Sequence, residues 1–257
     1  MGLRSACRVT FPNAEGIELC GHIERPQEGE PHAWAIFAHC FTCNKNYKAP
    51  VYISRHLARF GIATLRFDFP GFGNSSGDFA DTTLSGYVRD VLSASEFLAG
   101  QGHAPRILIG HSMGGAAAIL AGSKIRGIEL IATLGAPAKP GQLGKNLQIA
   151  YDQAMQRGVG ELVVNGQTHL LRRDFFEDVQ RHDLRRGLDD LRAKILVIHS
   201  PSDDTVPYQS AQQLMEWAHP PKFLLTLDPE ADHLLSREQD AEQVARAISN
   251  RVRKDVE

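Results

Sequence analysis

Ile107-Leu108-Ile109-Gly110-His111-Ser112-Met113-Gly114-Gly115-Ala116-Ala117-Ala118-Ile119-Leu120 is the stretch on which the fold turns. Ile107 to Gly110 closes an apolar run that is too short for a helix and ends in glycine, which reads as a buried strand. Ala116 to Ala121 is built of small residues and suits a helix packed closely on a sheet. Between them, Gly110 to Gly114 spells G-x-S-x-G. A serine on a tight strand-to-helix turn is forced outward, at the positive end of a helix dipole. Glycines two before and two after it remove the Cβ atoms that would collide in so sharp a turn. The context therefore marks Ser112 as a candidate nucleophile.

Working outward, short apolar runs alternate with helical patterns. Cys7 to Phe11 and Ile17 to Glu24 read as a hairpin around Pro12–Gly16, and Ala33 to His39 as a strand buried on both faces. A helix follows from about Tyr47 to Phe60, then a strand at Ile62–Phe67 and a loop from Asp68 to Gly77. Tyr87, Val88, Val91, Leu92, Ala94, Phe97 and Leu98 repeat with a helical period within Leu84–Ala99. Further strands are expected at Ile128–Leu134, Lys194–His199 and Phe223–Leu227, with helices at Tyr208–Ala218 and Asp240–Arg251. This alternation predicts a mostly parallel sheet with helices on both faces. From about Ala138 to Asp190 the alternation fails. That segment predicts a helix over Gln142–Arg157, a small hairpin over Glu161–Leu171 and a helix over Asp174–Leu184. An insertion of this length is usually functional, often a lid.

The chain has 257 residues, 42% hydrophobic and 23% charged, which suits one α/β domain spanning residues 1–257. A net charge of −2 with no long run of one sign gives no reason to expect nucleic acid or a membrane as partner. The N-terminus has no apolar signal core, and Ala6 occupies the place where a myristoylation pattern needs Ser or Thr. Four cysteines are too few and too irregular for a disulfide framework. The cytoplasm is the expected compartment, and the oligomeric state is left open.

A serine hydroxyl needs a base, and the base needs an orienting acid. In a strand-turn-helix setting the chain order should be Ser, then Asp or Glu, then His. Asp203 and Asp204 both lie just past the strand at Lys194–His199, and one of the two would then be a solvated loop carboxylate or a helix cap. His233 is the one histidine after the last strand. A developing oxyanion needs two N–H donors: Met113, directly after the serine, and either Cys40 or Phe41 after Ala33–His39. Cys40 and Cys43 also spell C-x-x-C, which could serve a thiol-dependent redox protein. Otherwise Cys40 is expected to pack as a small unmodified hydrophobe. No zinc site is expected, since no second ligand pair stands at finger spacing. Asp68 to Ser75 lacks the third glycine and the lysine of the nucleotide-binding motifs, so its glycines are read as turning the chain.

His39-Cys40-Phe41, Asp68 to Ser75, Gly110 to Gly114, Asp203 to Pro207 and Asp232-His233 stand in the order seen in α/β-hydrolases of the serine aminopeptidase and esterase type. The chain resembles that superfamily over nearly its whole length. FAHCFTCNK, RFDFPGFGNSSGDFADT and HLLSREQDA resemble, more narrowly, the hydrolase half of bacterial proteins fused to an osmotically induced, peroxidase-like domain. One departure is Cys40, which stands where a glycine is common. The resemblance implies an α/β-hydrolase fold with a short lid insertion at about 138–190. It implies a serine esterase working without a cofactor or metal on a small-molecule ester of short to medium acyl length, with peptide, amide and thioester cleavage as alternatives. Ser112, Asp203 and His233 would form a catalytic triad, and the Met113 and Phe41 amides the oxyanion hole.

Overall fold

A computed structural model describes residues 6–252 apart from Leu143, Asn165 and Pro220. Residues 1–5, part of the stretch read for a leader, lie outside the described residues, as do Leu143 and Asn165 of the inserted segment. Eight strands form one sheet: β1 (Ala6–Pro12), β2 (Glu18–Glu24), β3 (Ala33–Ala38), β4 (Ile62–Phe67), β5 (Ile107–His111), β6 (Leu130–Leu134), β9 (Lys194–His199) and β10 (Lys222–Thr226). Their order is β1-β2-β4-β3-β5-β6-β9-β10. β1 and β2 pair antiparallel, β2 pairs antiparallel with β4, and the pairings from β4 through to β10 are parallel.

Every residue of β3 and β4 is buried, as it must be for parallel strands covered on both faces. The alternation of side chains divides the core in two. Ala33, Ala35 and Phe37 point with Ile107 and Ile109 toward α1 (Lys48–Arg59) and α8 (Glu238–Ser249). Trp34, Ile36 and Ala38 point with Leu108 toward α2 (Leu84–Gly100) and α3 (Met113–Gly122). α7 (Gln209–Trp217) packs on this second face through Ala211 and Leu214. The expected layers are thus present, with strand and helix ends shifted by one to a few residues.

The inserted segment comprises α4 (Lys145–Arg157), a separate hairpin of β7 (Val159–Val164) and β8 (Gln167–Arg172), α5 (Arg173–Arg181) and α6 (Leu184–Asp189). One helix was expected over Asp174–Leu184, and two are found around this stretch. The break is local chemistry: Asp183 sits in extended geometry as the N-cap of α6, its carboxylate accepting from the Arg185 N–H at 3.0 Å. No helix among the described residues is long and apolar enough to cross a membrane.

Candidate active site

β5 delivers the chain into Ser112, and α3 carries it away. Ser112 has φ 53° and ψ −118°, a backbone region that side chains rarely adopt and that costs about 1–3 kcal/mol. The turn survives because glycine clears its surroundings. A Cβ on Gly110 would run into the Gly114 carbonyl, and one on Gly114 into the Ala38 carbonyl at the end of β3. The Ser112 N–H donates to Leu134 O at 2.8 Å, locking the turn to the end of β6. Met113 opens α3, so its N–H has no acceptor within the helix.

Gly135 follows β6 directly, and the other two candidates converge on it. A Cβ there would lie 3.1 Å from Asp203 Oδ2 and 3.2 Å from His233 Nδ1. His233 Nδ1 donates to Asp203 Oδ2 at 2.7 Å. Asp203 Oδ1 accepts from the Thr205 and Val206 N–H groups at 2.9 and 2.8 Å. Burial alone would raise the Asp203 carboxyl. The hydrogen bond and charge of His233, with the Val206 and Thr205 N–H groups, outweigh it and hold the group below the usual carboxylate range. Asp204 is exposed and, among the described residues, accepts only from the Thr205 hydroxyl, at 3.1 Å. Between the two aspartates that the sequence left open, the one paired with His233 is Asp203.

Two histidines not singled out from the sequence support this pair. His111 donates from Nε2 to the His233 carbonyl at 2.7 Å. His199 donates from Nε2 to the Val206 carbonyl at 2.9 Å, with the same nitrogen 3.5 Å from Asp203 Oδ2. Both are buried at 1% exposure, and neutral buried histidines cannot be told from core residues by type alone. For His111 the signal was its place directly before Ser112, on a strand that ends at the turn.

The loop after β3 is held on several sides. His39 donates from Nδ1 to the Cys40 carbonyl at 2.8 Å, and its Nε2 accepts from the Phe69 N–H at 3.3 Å. Lys45 gives both its N–H and its ammonium to the fully buried Asp68, at 2.7 and 2.6 Å. The Phe41 ring stacks on Phe175 of α5, with centroids 5.1 Å apart. Thr42, at φ 63°, makes the turn.

Cys40 and Cys43 are joined in a disulfide, with Cα atoms 5.3 Å apart. This corrects the expectation of an unmodified packing thiol. The physical reason is the turn itself, in which the Cys43 N–H donates to the Cys40 carbonyl at 3.1 Å and brings the two side chains together. Both residues are 4% exposed, which leaves an attacking thiolate little access and counts against a redox role. Closing so short a loop contributes about 2 kcal/mol at most. The double variant Cys40→Ala/Cys43→Ala should therefore lose no more than that in urea denaturation. A larger loss would mean that the bridge holds more of the loop than this one turn.

Several buried groups make folding depend on pH, and three of them are shifted far. Burial pushes His39 down to about 4 and His111 down to about 3 from an ordinary 6.5. A histidine with a depressed folded pKa contributes its full stability above 6.5 and loses it as pH falls toward the folded value. Asp90, hydrogen-bonded to Asn13 at 2.8 Å, is pushed up to about 7 by burial and works in the opposite sense. Near pH 5 the two histidines outnumber the one carboxyl. From these three groups about one more proton then binds the unfolded chain, a loss of roughly 1.4 kcal/mol per pH unit, and the depressed His22 and His199 act in the same sense. Urea midpoints measured from pH 6.5 to 4.5 should fall accordingly, and a profile rising toward acid would refute the assignment.

The sequence profile of the alpha/beta hydrolase family matches residues 29–253. Among solved structures, the esterase domain of a Rhodothermus marinus protein is 34% identical. It superposes with a TM-score of 0.76 over 96% of this chain and 97% of that one. Est1E of Butyrivibrio proteoclasticus, solved with ferulic acid bound, is 21% identical, with a TM-score of 0.77 over 95% of this chain and 98% of its own. Mouse palmitoyl-protein thioesterase ABHD10, mitochondrial, is 26% identical over 217 residues, covering 80% of this chain and 70% of that protein.

Proposed function

Because the chain belongs to the alpha/beta hydrolase family, we propose that it is a serine hydrolase cleaving carboxylic esters of short to medium acyl length. Ser112 Oγ attacks the ester carbonyl while His233 Nε2 takes its proton, and the tetrahedral oxyanion is held by the Met113 and Phe41 N–H groups. The alkoxide leaves with the proton from His233, giving an acyl-enzyme on Ser112. Water, deprotonated by His233, then releases the acid and restores the serine. Asp203 fixes the tautomer with Nδ1 protonated and stabilises the imidazolium. His111 steadies the His233 loop. Every proton and bond in this scheme is carried by the chain, its ester substrate and one water molecule, with no step assigned to a cofactor or metal.

The observation that carries the reading is the Asp203–His233 bond of 2.7 Å standing against Gly135, one residue past the carbonyl that anchors the strained Ser112. Residues 138–190 act as a lid within a single domain, their aromatic side chains shaping the acyl pocket. The cytoplasmic setting and the narrower likeness to hydrolase halves of peroxidase-like fusions belong to this reading as well.

Likeness to a palmitoyl-protein thioesterase favours a second substrate class, S-acyl groups, attacked by the same serine. One experiment separates the two. Turnover of p-nitrophenyl esters of rising chain length is compared with matched acyl thioesters and peptide arylamides. Oxygen esters of short to medium acyl groups should give the highest kcat/KM. A preference for long-chain thioesters would install the second reading in its place.

A further inference from the structure

Ser85, Asp178 and His182 form a second serine, acid and histidine group, and its wiring differs from that of the first. Ser85 stands in the first turn of α2, while Asp178 and His182 lie about one turn apart along α5 and just past its end. Asp178 Oδ2 accepts from the Ser85 N–H at 2.8 Å, and Oδ1 accepts from its hydroxyl at 2.5 Å. The hydroxyl proton thus faces the carboxylate, which leaves Ser85 Oγ to accept from His182 Nε2 at 2.9 Å. The group holding the serine proton is a carboxylate well below the usual range, too weak a base to activate the hydroxyl. This group is not a nucleophile.

It joins two parts of the chain instead. The Ser85 N–H is one of those at a helix start with no acceptor in its own helix, and Asp178 supplies one from the inserted segment. The negative charge also falls at the positive end of the α2 dipole. Partial burial would raise the Asp178 carboxyl, but the bonds from His182 and Ser85 outweigh it and pull the group down to about 2. Asp178 is therefore charged, and able to accept both bonds, throughout the neutral range.

Asp178 lies one helical turn after Phe175, whose ring stacks at 17° on Phe41. Phe79 adds a third ring, 5.4 Å from Phe41 and 4.6 Å from His169 of the β7–β8 hairpin. We propose that Asp178 is a positioning residue that clasps Ser85 and so seats Phe175 against Phe41, setting the aromatic wall met by the acyl group. This rests on Ser112 chemistry taking place beside Phe41, as in the proposed function.

The test uses Asp178→Ala, Asp178→Asn and Ser85→Ala in the full chain. Each is measured for kcat and KM on p-nitrophenyl acetate, butyrate, octanoate and decanoate, for labelling by a small fluorophosphonate and for deuterium uptake in residues 173–181. Asp178→Ala should raise KM for octanoate and decanoate about tenfold relative to acetate, with Ser112 labelling within about twofold of the unaltered protein. Asp178→Asn keeps one acceptor oxygen and should fall between. Ser85→Ala keeps its backbone N–H and should move preference in the same direction by less. Deuterium uptake should rise over α5 and not over α3. Should Asp178→Ala fail to fold, Ser85→Ala carries the same comparison. Equal losses on all four esters, or unchanged preference with unchanged uptake, would overturn the proposal. Absence of labelling in the unaltered protein would count against the proposed function instead, and α5 exchange would then decide the clasp by itself.

Discussion

Replacing Ser112 with alanine should abolish covalent labelling by a fluorophosphonate and lower ester turnover by on the order of a millionfold. The size follows from how a triad works: its members act as one unit, so loss of the nucleophile costs about as much as loss of all three. What survives is the modest catalysis that oxyanion donors and binding give to direct attack by water. The strained turn adds a second expectation at the same position. Ser112 holds φ 53°, which glycine accepts at no steric cost and alanine does not. Ser112→Gly should therefore be as inactive as Ser112→Ala yet unfold at higher temperature, by an amount corresponding to about 1 kcal/mol. Labelling that persisted in either variant would mean another nucleophile. Equal melting temperatures would mean that the turn carries no strain at the serine.

What made this turn legible was the coincidence of three local signals: a short apolar run, small residues after it, and glycines at the positions where neighbouring backbone comes closest. The parallel strands were legible for a related reason. Strands buried on both faces, such as β3 and β4, read as unbroken apolar runs whatever their neighbours. Their order in the sheet was not legible, since pairing β2 beside β4 and not beside β3 depends on backbone partners that no side-chain pattern marks. Chain order singled out His233 but left Asp203 and Asp204 open, because adjacent carboxylates differ only in the direction their loop turns them. The Cys40–Cys43 bond escaped for a similar reason: the spacing allows a bridge or a pair of thiols, and the turn geometry decides. The Ser85–Asp178 clasp joins positions 93 apart, and His111 acts through a backbone carbonyl, so only its place directly before Ser112 marks it.

Asp203→Asn should lower kcat by on the order of ten-thousandfold, while Asp204→Asn should leave it within about twofold. The contrast follows from which atoms each carboxylate holds. In Asp203→Asn the new side chain could keep its carbonyl oxygen toward the Thr205 and Val206 N–H groups, so the loop would survive. Its amide NH₂ would then face His233 Nδ1, donor against donor. The imidazole escapes by moving its proton to Nε2, leaving Nδ1 to accept, and a protonated Nε2 cannot take the serine proton. Activity falls while the fold stays. Among the described residues, Asp204 makes only an exposed contact to the Thr205 hydroxyl, which water replaces. Acid stability should divide the two variants in the same way. A carboxyl held below its usual range contributes stability above the ordinary carboxylate pKa and loses it as pH falls through the folded value. The Asp203→Asn variant has no such proton to gain, so its urea midpoint should fall less between pH 5 and pH 3 than that of the unaltered chain. The Asp204→Asn variant should follow the unaltered chain. If the two exchanged behaviour in both kinetics and acid stability, the acid of the triad would be Asp204 and the loop after β9 would turn the other way in solution.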